Sequence, residues 1–174
     1  MSKLRASRSA LAAGALVLAA TAGPSLARAQ GASTAYDVVV LSNLMVPMRD
    51  GVSLATDVYL PARDGRPLEG GLPVILERTP YDKDGVADGW PRFFVPRGYV
   101  GVVQDVRGRY RSGGRWRPLR DDGPDGADIA AWIGRQPWSN GRIGTVGTSY
   151  AGGTQHAMAI ANAPHSRRWC PSTR

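Results

Sequence analysis

Ile143-Gly144-Thr145-Val146 runs directly into Gly147-Thr148-Ser149-Tyr150-Ala151-Gly152, and an apolar stretch then continues to Ala163. The first four residues read as a buried strand and the last stretch as a helix. The serine therefore falls at a strand-to-helix junction between residues with little or no side chain. That setting is the mark of a nucleophile elbow, a turn so sharp that only small residues fit beside the serine. The turn lifts the Ser149 hydroxyl clear of the backbone. It also aims the first amides of the following helix at whatever carbon the oxygen attacks, where they can stabilise an oxyanion. Acyl-transfer hydrolysis is the chemistry this arrangement suits. The strict pattern has glycine two residues after the serine; here Ala151 occupies that place and Gly152 follows.

Upstream, the chain alternates strands and helices. Tyr36 to Leu41 reads as a strand, Met45 to Met48 as a short second piece, and Arg49-Asp50-Gly51 as a hairpin turn. Leu54 to Leu60 is the returning strand, ended by Pro61, and Arg63 to Gly71 is a polar loop. Leu72-Pro73-Val74-Ile75-Leu76 and Tyr99-Val100-Gly101-Val102-Val103 are wholly apolar, as strands covered on both faces are. Trp90 to Arg97 makes a brief helix closed by Gly98. Acids from Asp121 to Asp125 complement the dipole at the start of a helix that runs through Ile133. Pro137 to Gly141 is a turn before the last strand, Ile143 to Val146. The expected fold is α/β: a mostly parallel sheet with helices on both faces and an N-terminal antiparallel hairpin. Reactive groups in such sheets collect beyond the carboxyl ends of the strands, where Ser149, Asp105 and the loop after Leu76 all fall.

The two ends differ from the body. Lys3, Arg5 and Arg8 precede an apolar run from Ala10 to Ala22, and Ala27-Arg28-Ala29 follows. Residues 1–29 read as a secretory signal cleaved after Ala29, which sends the protein to the periplasm or outside the cell. Residues 30–165 form the globular portion. The tail 166–174, Ser-Arg-Arg-Trp-Cys-Pro-Ser-Thr-Arg, has neither strand alternation nor a helical stripe. Shifted by one base and back-translated with G/C-rich codons, it becomes Leu-Ala-Ala-Met-Val-Pro-Val-Asp-Ala, a plausible buried strand, so a frameshift after His165 is the expectation.

The charge of +8 resides largely at those ends. Without residues 1–29 the balance is 18 basic to 14 acidic residues, and without the tail it is 15 to 14. A body this close to neutral calls for no nucleic-acid or acidic-membrane partner. Arg107, Arg109, Arg111, Arg115 and Arg117 lie in Gly-rich sequence and read as a solvated or locally paired loop; the Lys-Ser/Thr ending of a phosphate loop is missing. The single cysteine, Cys170, leaves no internal disulfide to form.

Further stretches run in series with the elbow. They are Met48-Arg49-Asp50-Gly51-Val52 with Leu54 to Tyr59, and Arg78-Thr79-Pro80-Tyr81-Asp82-Lys83. Gln104-Asp105-Val106-Arg107-Gly108-Arg109 follows, and then Gln136-Pro137-Trp138-Ser139-Asn140-Gly141. Together they resemble the N-terminal part of the cocaine esterase/X-Pro dipeptidyl-peptidase (S15-like, CocE/NonD) branch of the α/β-hydrolases. The resemblance implies a truncated α/β-hydrolase fold and a serine hydrolase acting on ester or amide bonds, X-Pro peptides included, with no metal or other cofactor. It implies Ser149 as nucleophile, the Tyr150 backbone N–H as one oxyanion donor and the Tyr81 hydroxyl as the other. Asp105 is expected to shape its loop rather than to react. The family's acid and histidine follow the serine far downstream. His156, seven residues along the same helix, is roughly 10 Å away at 1.5 Å per residue. It and His165 are expected to be structural. Small-molecule esters, amides or short peptides are the implied substrates. The other reading is a truncated product with no activity of its own, whose sheet ends in an exposed edge after the elbow strand.

Overall fold

A computed structural model describes residues 35–164 and the backbone of residues 168–169. The expected signal (1–29), His165, Cys170 and most of the 166–174 tail lie outside the described residues. Seven strands form one sheet: β1 (Asp37–Pro47), β2 (Ser53–Arg63), β3 (Arg66–Pro67), β4 (Leu72–Thr79), β5 (Val100–Asp105), β6 (Ser139–Thr145) and β7 (Arg168–Trp169). Among the described residues three α-helices accompany them: α1 (Trp90–Phe94), α2 (Asp122–Gly134) and α3 (Tyr150–Ile160). The strand order is β1-β2-β5-β4-β6-β7, with β3 paired to β2. β2 runs antiparallel to both its neighbours, β1 and β5, while β5, β4, β6 and β7 run parallel. The carboxyl ends of β4, β5 and β6 therefore open onto one edge, as expected for this class.

Alternation along the strands separates the two faces. Val58, Leu76 and Val102 join Ile129, Ile133 and Met158 under α2 and α3. Their chain neighbours Tyr59 and Val103 face the other way, against Val95, Val86 and Trp90. β5 is buried along its whole length, which accounts for the apolar run from Val100 to Val103; Gln104 and Asp105 at its carboxyl end are buried too. Fully burying a side chain such as Leu54, Leu76 or Ile129 contributes about 1.5–3 kcal/mol. α2 and α3 approach closely at Gly126: a β-carbon there would lie 2.1 Å from Met158 Cγ.

Several boundaries differ from the sequence reading, each for a local reason. β1 is one strand, not two pieces; its register shifts between Leu41 and Leu44, and Asn43 takes a positive φ of 56°. A bulge of this kind keeps one strand going while shifting its pairing. β2 passes through Pro61, whose carbonyl accepts from the Leu68 N–H at 2.9 Å. The polar loop contains a hairpin, because Asp64 and Gly65 both adopt positive φ (52° and 73°), the pattern of a I′ turn. β6 begins at Ser139, inside the stretch read as a turn. The tail has no strand alternation in sequence, and the reading of a truncated product without activity ends the sheet in an exposed edge after β6. Instead Arg168 and Trp169 pair in parallel with Gly144 and Thr145. A two-residue strand needs only backbone pairing, so side-chain alternation gave no sign of it.

Glu77 lies on the α1 face of β4, 9% exposed, accepting a hydrogen bond from Trp90 Nε1 at 2.5 Å. Burial pushes its pKa up, against the opposing pull of that hydrogen bond. A carboxyl with a raised folded pKa favours the fold when protonated, and that contribution is lost as pH rises through the folded value. Glu77→Gln keeps an acceptor for Trp90 without the buried charge. It should therefore be at least as stable as the parent at pH 7 by urea melt, with the gap closing as pH falls into the carboxylate range.

Candidate active site

The turn at Ser149 is strained. Ser149 has φ 56° and ψ −121°, a sparsely populated conformation for a residue with a β-carbon, and α3 begins at the next residue. Such backbone costs on the order of 1–3 kcal/mol and persists only where its surroundings over-determine it. Here they do. Gly147 has φ 150°, and a β-carbon on it would come within 2.8–2.9 Å of Ala151. Gln155, buried beneath the turn, donates to the Gly147 carbonyl (3.1 Å) and accepts from the Thr145 hydroxyl (2.7 Å), tying the end of β6 to α3. Thr154 Oγ1 donates to the Arg78 carbonyl (3.1 Å), which ties α3 to β4. The Val146 N–H donates to the Leu76 carbonyl (3.1 Å). The Ser149 side chain is left exposed.

The loop after β4 brings Tyr81 alongside. Its N–H donates to Thr79 Oγ1 (3.1 Å), and the Pro80 carbonyl accepts from Arg109 Nε (3.1 Å). The phenol oxygen stands 3.3 Å from Ser149 Oγ, on a side chain 57% exposed. Asp105 fixes the loop that follows. Its carboxylate accepts the Lys83 N–H (2.8 Å), its backbone carbonyl accepts the Ser112 hydroxyl (2.7 Å), and burial raises its pKa. Lys83 is itself fully buried and donates to Asp57 (3.0 Å) and Asp84 (2.6 Å).

Tyr150 opens α3, so its N–H has no carbonyl a turn earlier to bond. Its side chain crosses to the loop before α2. There the hydroxyl donates to Asp122 Oδ2 (2.8 Å) and accepts the Leu119 N–H (2.8 Å), with the Trp116 ring 6.1 Å from its own. Arg78, 1% exposed, lies behind Asp122. It donates to the Asp122 carbonyl (2.6 Å) and to Gln104 (3.0 Å), with Asp122 and Asp125 carboxylates at 3.6 and 3.8 Å. Asp125 also takes two bonds from Arg107 (2.6 and 3.0 Å), and Arg107 grips Asp50 in the β1–β2 turn (2.7 and 3.1 Å). The hydrogen bonds to Asp125 and Asp50 push the Arg107 pKa up.

The three residues singled out in sequence, Ser149, Tyr81 and Tyr150, thus converge. Asp105 shapes its loop, as expected. Four of the five loop arginines have partners: Arg107 as above, Arg109 on Pro80 and the Trp116 ring, Arg111 on Asn43 and Asp84, and Arg117 on Asp121. His156, expected to be structural, is exposed on α3 in an open groove of about 410 Å³ with Leu119 and Ile160. No hydrogen bond joins it to Ser149 among the described residues. Among those residues no group of three or more His, Cys, Asp or Glu side chains gathers to hold a metal ion. The sequence reading gave no role to Arg78, Thr145 or Gln155, and to Asp122 only that of complementing the α2 dipole. Arg78 stood inside a quoted motif, but nothing in a linear string marks which arginine is buried.

A parallel sheet ending in a strained serine, with a phenol at its side, is the arrangement of an α/β-hydrolase. Comparison with known proteins makes this specific. Residues 50–173 match the X-Pro dipeptidyl-peptidase (S15) family, and the chain belongs to that family. It is 42% identical over 139 residues to the cocaine esterase of Rhodococcus sp. (strain MB1 Bresler), covering 76% of this chain and 23% of that enzyme. The structure of an α-amino acid ester hydrolase superposes with a TM-score of 0.69 at 30% identity, over 87% of this chain and 29% of that one. A CocE/NonD family hydrolase from Staphylococcus aureus gives 0.67 at 31%, over 77% and 27%. The chain spans about a quarter of the length of these relatives.

Gly147→Ala forces a β-carbon against Ala151 backbone atoms at a φ that L-residues rarely adopt. It should lower the unfolding free energy by about 1–3 kcal/mol in a urea melt.

Proposed function

We propose that this chain carries the nucleophile and oxyanion donors of a serine hydrolase that cleaves ester or amide bonds through an acyl-enzyme. The observation that carries the reading is the strained Ser149 hydroxyl, exposed at the start of α3 with the Tyr81 phenol 3.3 Å away. Ser149 Oγ attacks the carbonyl carbon and its proton passes to an imidazole base. Charge builds on the carbonyl oxygen, where the Tyr150 N–H and the Tyr81 hydroxyl donate to it, reinforced by the positive end of the α3 dipole. The tetrahedral species collapses as the alcohol or amine leaves with that proton, and water then releases the acid from Ser149. Removing one oxyanion donor of this kind lowers kcat by about 10²–10³.

Relatives and structural neighbours are named for cocaine, α-amino acid esters and X-Pro peptides, so the substrate class is drawn no more finely than esters or amides of small molecules and short peptides. Residues 1–29 support export to the periplasm or beyond, with a mature N-terminus at Gln30. The contrary reading, a polypeptide without activity of its own, draws on the fact that no described histidine contacts Ser149.

Incubation of the purified chain with an alkyl fluorophosphonate, with and without added imidazole as external base, separates the two. The expected result is one phosphonyl adduct, mapped to Ser149, formed faster with imidazole and absent in Ser149→Ala. No adduct at Ser149 under either condition would sink the proposal.

A further inference from the structure

The Tyr150 phenol turns to the loop before α2 and is held there by two hydrogen bonds. Among the described residues its hydrogen bonds tie the loop ending at Leu119 to the helix turn that follows Ser149. The hydroxyl uses both its capacities at 2.8 Å, donating to Asp122 Oδ2 and accepting from the Leu119 N–H. The Leu119 N–H also lies 3.2 Å from that same Oδ2, so phenol, amide and carboxylate close a three-membered ring of bonds. Asp122 in turn is anchored through its backbone carbonyl by the buried Arg78. Burial, and then the Asp122 carboxylate, raise the pKa of the phenol, so it keeps its proton above the ordinary tyrosine range.

We propose that this clamp is a positioning device: by fixing the Tyr150 side chain to Asp122 and Leu119, it fixes the Tyr150 peptide N–H at Ser149. The proposal rests on the serine-hydrolase reading. Tyr150 then has two separate duties, its backbone at the oxyanion and its phenol as a tether. The Tyr150 N–H, at the first position of α3, has no helical acceptor of its own, so its direction depends on what holds the first turn. Gln155 and Thr154 hold the turn from beneath; the phenol holds it from the side. Asp122 and Arg78 support this tether and have no hydrogen bond to Ser149, so they act as positioning residues.

The experiment compares the parent chain with Tyr150→Phe, which removes the hydroxyl and keeps the ring on Trp116. Amide hydrogen exchange is followed in peptides covering residues 147–153 and 117–122, alongside the rate of fluorophosphonate adduct formation at Ser149. In Tyr150→Phe the 147–153 peptide should exchange at least tenfold faster, and the adduct should form at least tenfold more slowly per folded molecule. Tm should move by only a few degrees. Adduct formation at the parent rate with unchanged exchange overturns the proposal. A merely structural phenol would lower Tm and leave the rate per folded molecule alone, which also overturns it. Should Tyr150→Phe not fold, the parent chain decides: shared opening of the two segments supports the tether, and independent opening contradicts it. If the parent serine forms no adduct, the hydrolase reading falls, while the exchange measurements still judge the clamp.

Discussion

A serine with a β-carbon does not choose φ 56° and ψ −121° for itself. The conformation costs on the order of 1–3 kcal/mol, and it survives because every neighbour leaves the turn nowhere else to go. Gly147 admits Ala151 at contact distance, Gln155 bonds both sides of the turn, and Thr154 joins α3 to the end of β4. The parallel strands supply the rigid floor, since β4 and β6 pair up to the residues that precede the two site loops. Strain in the turn and rigidity in the sheet are thus two aspects of one arrangement, and the exposed hydroxyl is its product.

A second layer of charge surrounds this turn. Asp50, Arg107, Asp125, Arg78, Asp122 and Tyr150 form a continuous chain of contacts from the β1–β2 hairpin to the first residue of α3. Taking such charges out of water costs several kcal/mol each, and their mutual attraction does no more than offset it when the geometry is good. Removing one member of a buried pair is what destabilises strongly, by about 3–5 kcal/mol, because the partner is left buried without a counter-charge. One guanidinium nitrogen, Arg78 Nη2, has no hydrogen bond and is held only by the two nearby carboxylates. A network this costly contributes little net stability; what it supplies is a fixed relation between hairpin, helix and elbow. The pair Arg49–Asp128, with its guanidinium exposed, also joins the β1–β2 turn to α2.

Much of this was legible in the string of residues, for reasons that can be named. Unbroken apolar runs at Val74 and Val100 declare strands buried on both faces. Small residues around Ser149 declare a sharp turn, and Asp50-Gly51 declares a hairpin. The first amides of α3 were legible from the elbow itself, but the phenol of Tyr81 was reachable only through the resemblance of several motifs in order, because a tyrosine in a loop looks alike whether it packs or donates. What stayed hidden was whatever depends on depth. Arg78 and Lys83 look like surface cations in sequence and are the largest fully buried polar side chains among the described residues. Gln155 looks like one more polar helix residue and is the clamp under the elbow. The hairpin at Asp64-Gly65 carried the same turn signal as Asp50-Gly51 but was masked by the prolines and charges around it.

A crystal structure of the chain after reaction with a fluorophosphonate reads the central claim directly, since the phosphonyl oxygen stands where the oxyanion forms. The account predicts phosphorus bonded to Ser149 Oγ, with that oxygen accepting from both the Tyr150 N–H and the Tyr81 hydroxyl at about 2.7–3.1 Å. An oxygen turned to solvent, with the Tyr81 phenol swung away and the Tyr150 N–H unused, would contradict it.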